Sequence, residues 1–188
     1  VTVCDGKPSV GRKFLMAGKS GLNVTKAEGF GPFVDAYTNA KKPLSRVIAA
    51  FDSDAVQVWA NDLGQEVFTG STGRVFPKAM KASPLLRAWL ARLTQAGVQF
   101  NTRWLWQGWN NTALAFQTPD GVQALTPDVT VLALGGASWA RLGSTGHWAD
   151  YLKDKDVPVV DFAPANAGLS IAWSDHMTRH FGAALKGI

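Results

Sequence analysis

The chain carries a single cysteine, Cys4, and so cannot close an internal disulfide. This excludes a disulfide scaffold and leads us to expect a reducing, cytoplasmic setting. No apolar run approaches the roughly 20 residues that a membrane-spanning helix requires, so no membrane partner is expected. Positive charge is in excess, with 19 Lys and Arg against 14 Asp and Glu, but it is dispersed in pairs such as Arg12 and Lys13, Lys41 and Lys42, and Arg87 and Arg92. With no block of about five like charges and no common nucleic-acid motif, the chain reads as a solvated basic surface that does not bind nucleic acid. Internal repeats and low-complexity tracts are missing as well.

What is present is a globular composition. Hydrophobic residues make up 46% of the 188 and charged residues 18%, with 19 glycines and 9 prolines. That length suits one ordinary domain or one and a part, and buries roughly 70% of the unfolded surface. The chain opens on Val1-Thr2-Val3-Cys4-Asp5, a strand with no charged leader or apolar signal core ahead of it. A domain that begins inside a strand reads as an internal segment of something longer.

Local patterns predict the following elements. Residues 11–32 hold five glycines (Gly11, Gly18, Gly21, Gly29 and Gly31) and read as loop with short helices at most. Ser45 and Ser53 are candidate N-caps for helices over 45–51 and 53–62, with Gly64 as a stop. Ser83 and Pro84 predict the start of the clearest helix, whose stripe is Leu85, Leu86, Trp89, Leu90 and Leu93 and whose end is Gly97. Short strands at 103–106, 113–116 and 122–125, separated by Asn110-Asn111 and Pro119-Asp120-Gly121, predict an antiparallel meander. Residues 129–134 are almost wholly apolar and predict a strand covered on both faces, running into Gly135-Gly136. A helix over 147–153 and a strand over 157–160 follow. The composition shifts after Asp161, giving a candidate boundary between a unit of residues 1–162 and another of residues 163–188.

Several chemistries are tested by spacing. Asp5, at a strand end, is placed where a carboxylate can accept both hydroxyls of a ribose, or where it is an ordinary strand-end acid. Gly18-Lys19-Ser20-Gly21 fails as a phosphate-binding P-loop, because Lys13 stands where that motif needs its first glycine. Gly135-Gly136 and Gly143-Ser144-Thr145-Gly146 allow a backbone to approach a ligand closely, or form turns. His176 and His180 have i, i+4 spacing but lack the acidic residue of a zinc protease, so no metal site is expected. Cys4 reads as a core thiol, and no Ser, His and Asp set has recognisable spacing, so catalytic residues stay unassigned. Trp104, Trp106 and Trp109 read as sheet-face packing.

Taken in order, these pieces resemble a bacterial flavoprotein family, the NAD(P)/FAD-dependent oxidoreductases that include aminoacetone-oxidase-like FAD-binding enzymes. The likeness lies in Val1-Thr2-Val3-Cys4-Asp5, then Gly11-Arg12-Lys13-Phe14-Leu15-Met16-Ala17-Gly18 and Leu22-Asn23-Val24-Thr25, then Gly73-Arg74-Val75-Phe76-Pro77-Lys78. It continues in Val131-Leu132-Ala133-Leu134-Gly135-Gly136-Ala137-Ser138 and Gly143-Ser144-Thr145-Gly146. Pro164-Ala165-Asn166 and Leu185-Lys186 resemble the approach to that family's inserted, mostly β domain.

The resemblance implies an α/β fold, a partial glutathione-reductase-type Rossmann-like domain with a three-stranded antiparallel meander, and FAD as cofactor. It implies Asp5 on the adenosine ribose, and Gly11, Arg12 and Lys13 along the dinucleotide. Gly18, Gly21 and Asn23 would approach the flavin, and Gly135, Gly136, Gly143, Ser144 and Thr145 would pass close to the cofactor. The implied reaction is oxidation of a small amine or reduction of an activated double bond, with a small-molecule substrate and NAD(P)H as a candidate second partner. The family's opening glycine-rich loop is absent, and Gly18-Lys19-Ser20-Gly21-Leu22-Asn23 replaces its Gly-Gly-Gly-Arg-Cys-Asn, without the cysteine. The 188 residues alone are therefore expected to be inactive. The rival expectation is a non-catalytic remnant that binds a nucleotide or a protein without turnover.

Overall fold

β-branched and apolar residues at the start of the chain form β1 (Thr2–Asp5), which pairs in parallel with β5 (Gln99–Thr102), Thr2 opposite Gln99 and Asp5 opposite Thr102. These strands belong to a computed structural model that describes residues 1–18, 21–37, 41–163 and 171–181. Between β1 and β5 run α1 (Arg12–Ala17), β2 (Thr25–Lys26), α2 (Phe30–Asp35), α3 (Lys41–Ala50), α4 (Ser53–Asp62), β3 (Val67–Thr69), β4 (Arg74–Pro77) and α5 (Ala82–Gln95). After β5 come β6 (Leu105–Asn110), β7 (Ala113–Thr118), β8 (Gly121–Leu125) and α6 (Trp148–Lys153). The fold is mixed α/β, with one parallel pair and two antiparallel sheets, β2-β4-β3 and β6-β7-β8.

The stripe of α5 builds the first core. Leu85 is wholly buried beside Leu22, Ala60 and Leu63, and Leu86 is nearly wholly buried. Burying a leucine of this kind contributes about 2–3 kcal/mol. Trp89, one turn further on, meets Trp59 edge-on at 5.2 Å and Phe14 of α1 at 6.4 Å. A second core, of Trp106, Leu114 and Phe116, joins the meander to α6 through Tyr151, whose ring lies 5.2 Å from that of Trp106. Gly108, with φ of 90°, sits at the irregularity in the β6–β7 register, and a Cβ there would lie 3.3 Å from the Tyr151 ring.

The meander, its two turns and the α5 stripe match the sequence reading. Several boundaries do not. α3 begins at Lys41, so Ser45 is inside the helix and its hydroxyl donates back to the Lys42 carbonyl at 3.1 Å. Pro43 is tolerated there because the first-turn amides have no partner in the helix. α4 is capped by Asp52, which accepts from the amides of Asp54 and Ala55 at 3.1 and 3.0 Å. Ser53 is buried instead and donates to the Lys26 carbonyl at 2.6 Å, tying α4 to β2. α5 starts at Ala82, with Lys81 at its N-cap position rather than Ser83. The first meander strand starts at Leu105, because Arg103 adopts a left-handed φ of 60°.

Residues 129–134 and 157–160 form no strand. A strand needs a ladder partner, and among the described residues neither segment has one. Val129, Val131 and Val160 are therefore exposed at 81%, 84% and 92%, while Leu134 turns in toward the Trp106 cluster. The β2-β4-β3 sheet, in turn, was not expected. Pro164-Ala165-Asn166 and Leu185-Lys186 lie outside the described residues. Among those described, no helix is long and apolar enough to cross a membrane.

Candidate functional site

β1 delivers Asp5 to the carboxyl end of the parallel pair, the end at which α/β sheets bind ligands. The chain then turns through Gly6 to Gly11, the N-cap of α1, where φ is 71°. This turn folds back on the carboxylate. Asp5 Oδ1 accepts from the Lys7 amide at 2.8 Å and lies 3.5 Å from Arg12 Nη2. The same Nη2 donates to the Leu142 carbonyl at 3.0 Å, and Nη1 donates to the Ser9 carbonyl. Arg12 thereby links the strand end to a loop 130 residues away. Asp5 Oδ2 has no partner among the described residues.

The neighbouring side chain makes a second link. Lys13 Nζ lies 3.2 Å from Ser144 Oγ and 3.4 Å from Ser138 Oγ. Ser144 is buried, and its hydroxyl occupies the space a Cβ on Gly135 would need, at 2.7 Å. Gly135, with φ of 71°, also accepts from Trp148 Nε1 at 3.0 Å, so α6 anchors this loop. Gly143, with φ of 108°, presents its Cα toward Lys7 and Arg12. Gly136 differs from both: its φ is not left-handed, and among the described residues no atom beyond its chain neighbours lies within 4 Å of where a Cβ would stand. Neither backbone strain nor packing against the protein requires glycine at that position.

The arrangement is cationic around one acid. Arg12 and Lys13 converge from α1, Lys7 lies alongside, and among the described residues Asp5 is the one carboxylate paired with them. A guanidinium, an ammonium and exposed backbone suit a phosphorylated ligand. A family model described as the HI0933-like protein Rossmann domain matches residues 1–178. The chain belongs to the HI0933-like Rossmann-domain family. No curated protein matches it.

The HI0933-like Rossmann domain is a flavin-binding, oxidoreductase-type domain. Here it gathers Asp5, Gly11, Arg12, Lys13, Gly135, Gly143 and Ser144 into one place. Thr145 is next to that place but exposed, its hydroxyl 3.5 Å from the His147 amide. Gly18, Gly21 and Asn23 have protein partners of their own. A Cβ on Gly18 would stand 2.5 Å from Ala82 Cβ, so this glycine lets α1 close on the start of α5. Gly21, with φ of 123°, faces Met80. With its amide turned so that the nitrogen faces them, Asn23 donates to the Val75 and Thr25 carbonyls at 3.3 and 2.7 Å, joining β2 to β4.

Two residues that sequence reasoning had not selected adjoin the cluster. Ser138, two residues beyond the double glycine, lies 3.4 Å from Lys13 Nζ. Trp139 carried no signal at all. Its φ of 63° and ψ of 51° are left-handed, an outlier for a bulky residue that costs about 1–3 kcal/mol. The residue is 51% exposed, with the Arg141 guanidinium 5.6 Å from the ring centroid. Cys4 is half-buried and packs on the Trp106 cluster, and this burial raises its thiol pKa against a smaller opposing effect of the Asn101 hydrogen bond. It is inert by environment rather than activated. Among the described residues, no three His, Cys, Asp or Glu side chains are grouped to hold a metal ion.

Proposed function

We propose that this chain is the nucleotide-binding portion of an FAD-dependent oxidoreductase acting on a small organic molecule, of the aminoacetone-oxidase-like type. The observation that carries this reading is the Asp5–Arg12 pair at the carboxyl end of β1, linked by Arg12 to the Leu142 carbonyl. The residues present fit the adenosine diphosphate half of FAD. Asp5 keeps Oδ2 unpartnered among the described residues, as an acceptor for a ribose hydroxyl, while Lys7 and Arg12 hold Oδ1 and fix the carboxylate's direction. Arg12 neutralises diphosphate charge, and the open face of Gly136 allows main chain to lie against the cofactor. When bound, the flavin supplies hydride or electron-pair transfer, and the protein supplies orientation and local charge.

The experiment is addition of FAD to the purified chain, followed by gel filtration. Visible flavin absorbance travelling with the protein is the expected result, with a partial and salt-sensitive yield. Protein that emerges colourless at every FAD concentration, with its secondary structure intact by circular dichroism, would overturn the proposal.

A further inference from the structure

α3 is apolar on both sides. Ile48 is buried and Leu44 half-buried on its inner face, while Pro43, Val47 and Ala50, at i, i+4 and i+7, form an exposed outer stripe. Val47 is 66% exposed, and Phe51, just past the helix end, is 52% exposed. The outer face of a surface helix is ordinarily polar, and an apolar one with a charged rim marks a surface that another molecule covers. The rim on α3 is purely basic. Lys42 and Arg46 are exposed, and neither is ion-paired among the described residues.

Directly after Phe51 the sign changes. The first turn of α4 borders a shallow surface recess of about 130 Å³ walled by Glu28, Phe30, Phe33, Asp52 and Asp54. Glu28 is matched by Lys26 at 2.6 Å. Asp52 and Asp54 have no cation among the described residues: Asp52 Oδ1 caps α4, and Asp54 Oδ1 accepts from Gln57 at 3.3 Å. Free carboxylate oxygens beside aromatic rings suit a guanidinium. Over residues 42–54 the surface therefore runs basic, apolar, acidic, an order that is its own complement when turned end for end. We infer that two copies of this chain associate here about a two-fold axis, with Val47 and Phe51 at the centre and Arg46 of each copy meeting Asp52 and Asp54 of the other. None of these residues belongs to the Asp5 cluster, so the inference stands apart from the flavin reading. The apolar centre is small against the roughly 800 Å² per partner of a standard interface, which makes the dimer weak, with a Kd of about 10–100 μM.

Sedimentation velocity of the whole chain at about 5 to 500 μM, in low salt and without flavin, should show a reversible monomer–dimer equilibrium across that range. Arg46→Asp and Asp54→Arg, both at exposed positions, each set like charges together at the two symmetric contacts. Either should weaken dimerisation at least about tenfold while leaving circular dichroism unchanged. An equimolar mixture of the two variants restores opposite charges at both contacts and should dimerise within about threefold of the parent. That recovery separates the pairing of charges from any loss of fold, because a misfolded variant would not regain a partner. Val47→Glu, which charges the apolar centre, should leave only monomer. Monomer at every concentration of the parent, association that neither reversal weakens, or a mixture no stronger than its components would overturn the proposal.

Discussion

Replacing Asp5 separates what this carboxylate does for folding from what it does for the ligand. Asp5→Ala removes the Lys7 amide bond, worth about 0.5–1.5 kcal/mol. It also removes an ion pair with Arg12 at 3.5 Å whose side chains are 20% and 30% exposed, worth up to about 1 kcal/mol. The expected destabilisation is therefore about 1–2 kcal/mol, or a fall in Tm of roughly 2–8 °C for a chain of this size. The larger effect should be on the cofactor. Losing a charge-assisted acceptor on the ribose should weaken FAD binding by about 1–3 kcal/mol, a factor of roughly 5 to 150. Asp5→Asn serves as the control, since its amide oxygen still accepts from Lys7. Its Tm should stay within a few degrees of the parent while FAD affinity still drops by at least about threefold. Equilibrium titration of flavin fluorescence, with circular dichroism on the same samples, reads both quantities. A folded Asp5→Ala protein with undiminished FAD affinity would refute the ribose assignment.

Glycine substitutions should divide in the same way. Gly136→Val places its Cβ in open space among the described residues and should leave Tm unchanged but reduce FAD binding at least about tenfold. Gly18→Ala forces its new methyl onto Ala82 and should cost about 1–3 kcal/mol of stability, measured by urea unfolding. Cys4 supplies a pH dependence: its folded thiol pKa is raised by burial, so the folded state holds the proton more tightly than the unfolded chain. Its contribution is whole below the ordinary thiol range and is lost as pH rises through the folded value. Cys4→Ala should flatten that alkaline loss, and in the parent Cys4 should react with iodoacetamide more slowly than a free peptide thiol. Asp52→Ala removes the α4 cap and should cost about 0.5–2 kcal/mol by thermal unfolding.

Local signals served well where one residue's chemistry decides the outcome. The 3.6-residue stripe of Leu85, Leu86 and Trp89 became the buried face of α5, and the Asn111 and Gly121 turns set the meander, with φ of 54° and 103°. Apolarity alone misled at residues 129–134, because strand formation depends on a neighbour that no local pattern encodes. Helix starts slipped for a related reason. Ser53 is a good cap by type, but its hydroxyl was drawn into the Lys26 contact and Asp52 took the end of the helix. At the candidate site, type and position named Asp5, Gly135 and Gly143 as candidates, which the fold brings to one place, together with Gly18 and Gly21, which it packs elsewhere. The link from Arg12 to Leu142 and the left-handed Trp139 arise from long-range folding and have no sequence signature.

The most direct test of the central claim exploits the half of FAD that this cluster is assigned to hold. With FAD bound to the 188-residue chain, ADP and FMN are added separately and release is followed by recovery of flavin fluorescence. A site built from Asp5, Arg12 and the turns at Gly135 and Gly143 recognises adenosine diphosphate, so ADP should displace FAD competitively and FMN should not. Displacement by FMN with no effect of ADP, or the same ADP competition in Asp5→Ala as in the parent, would contradict the account.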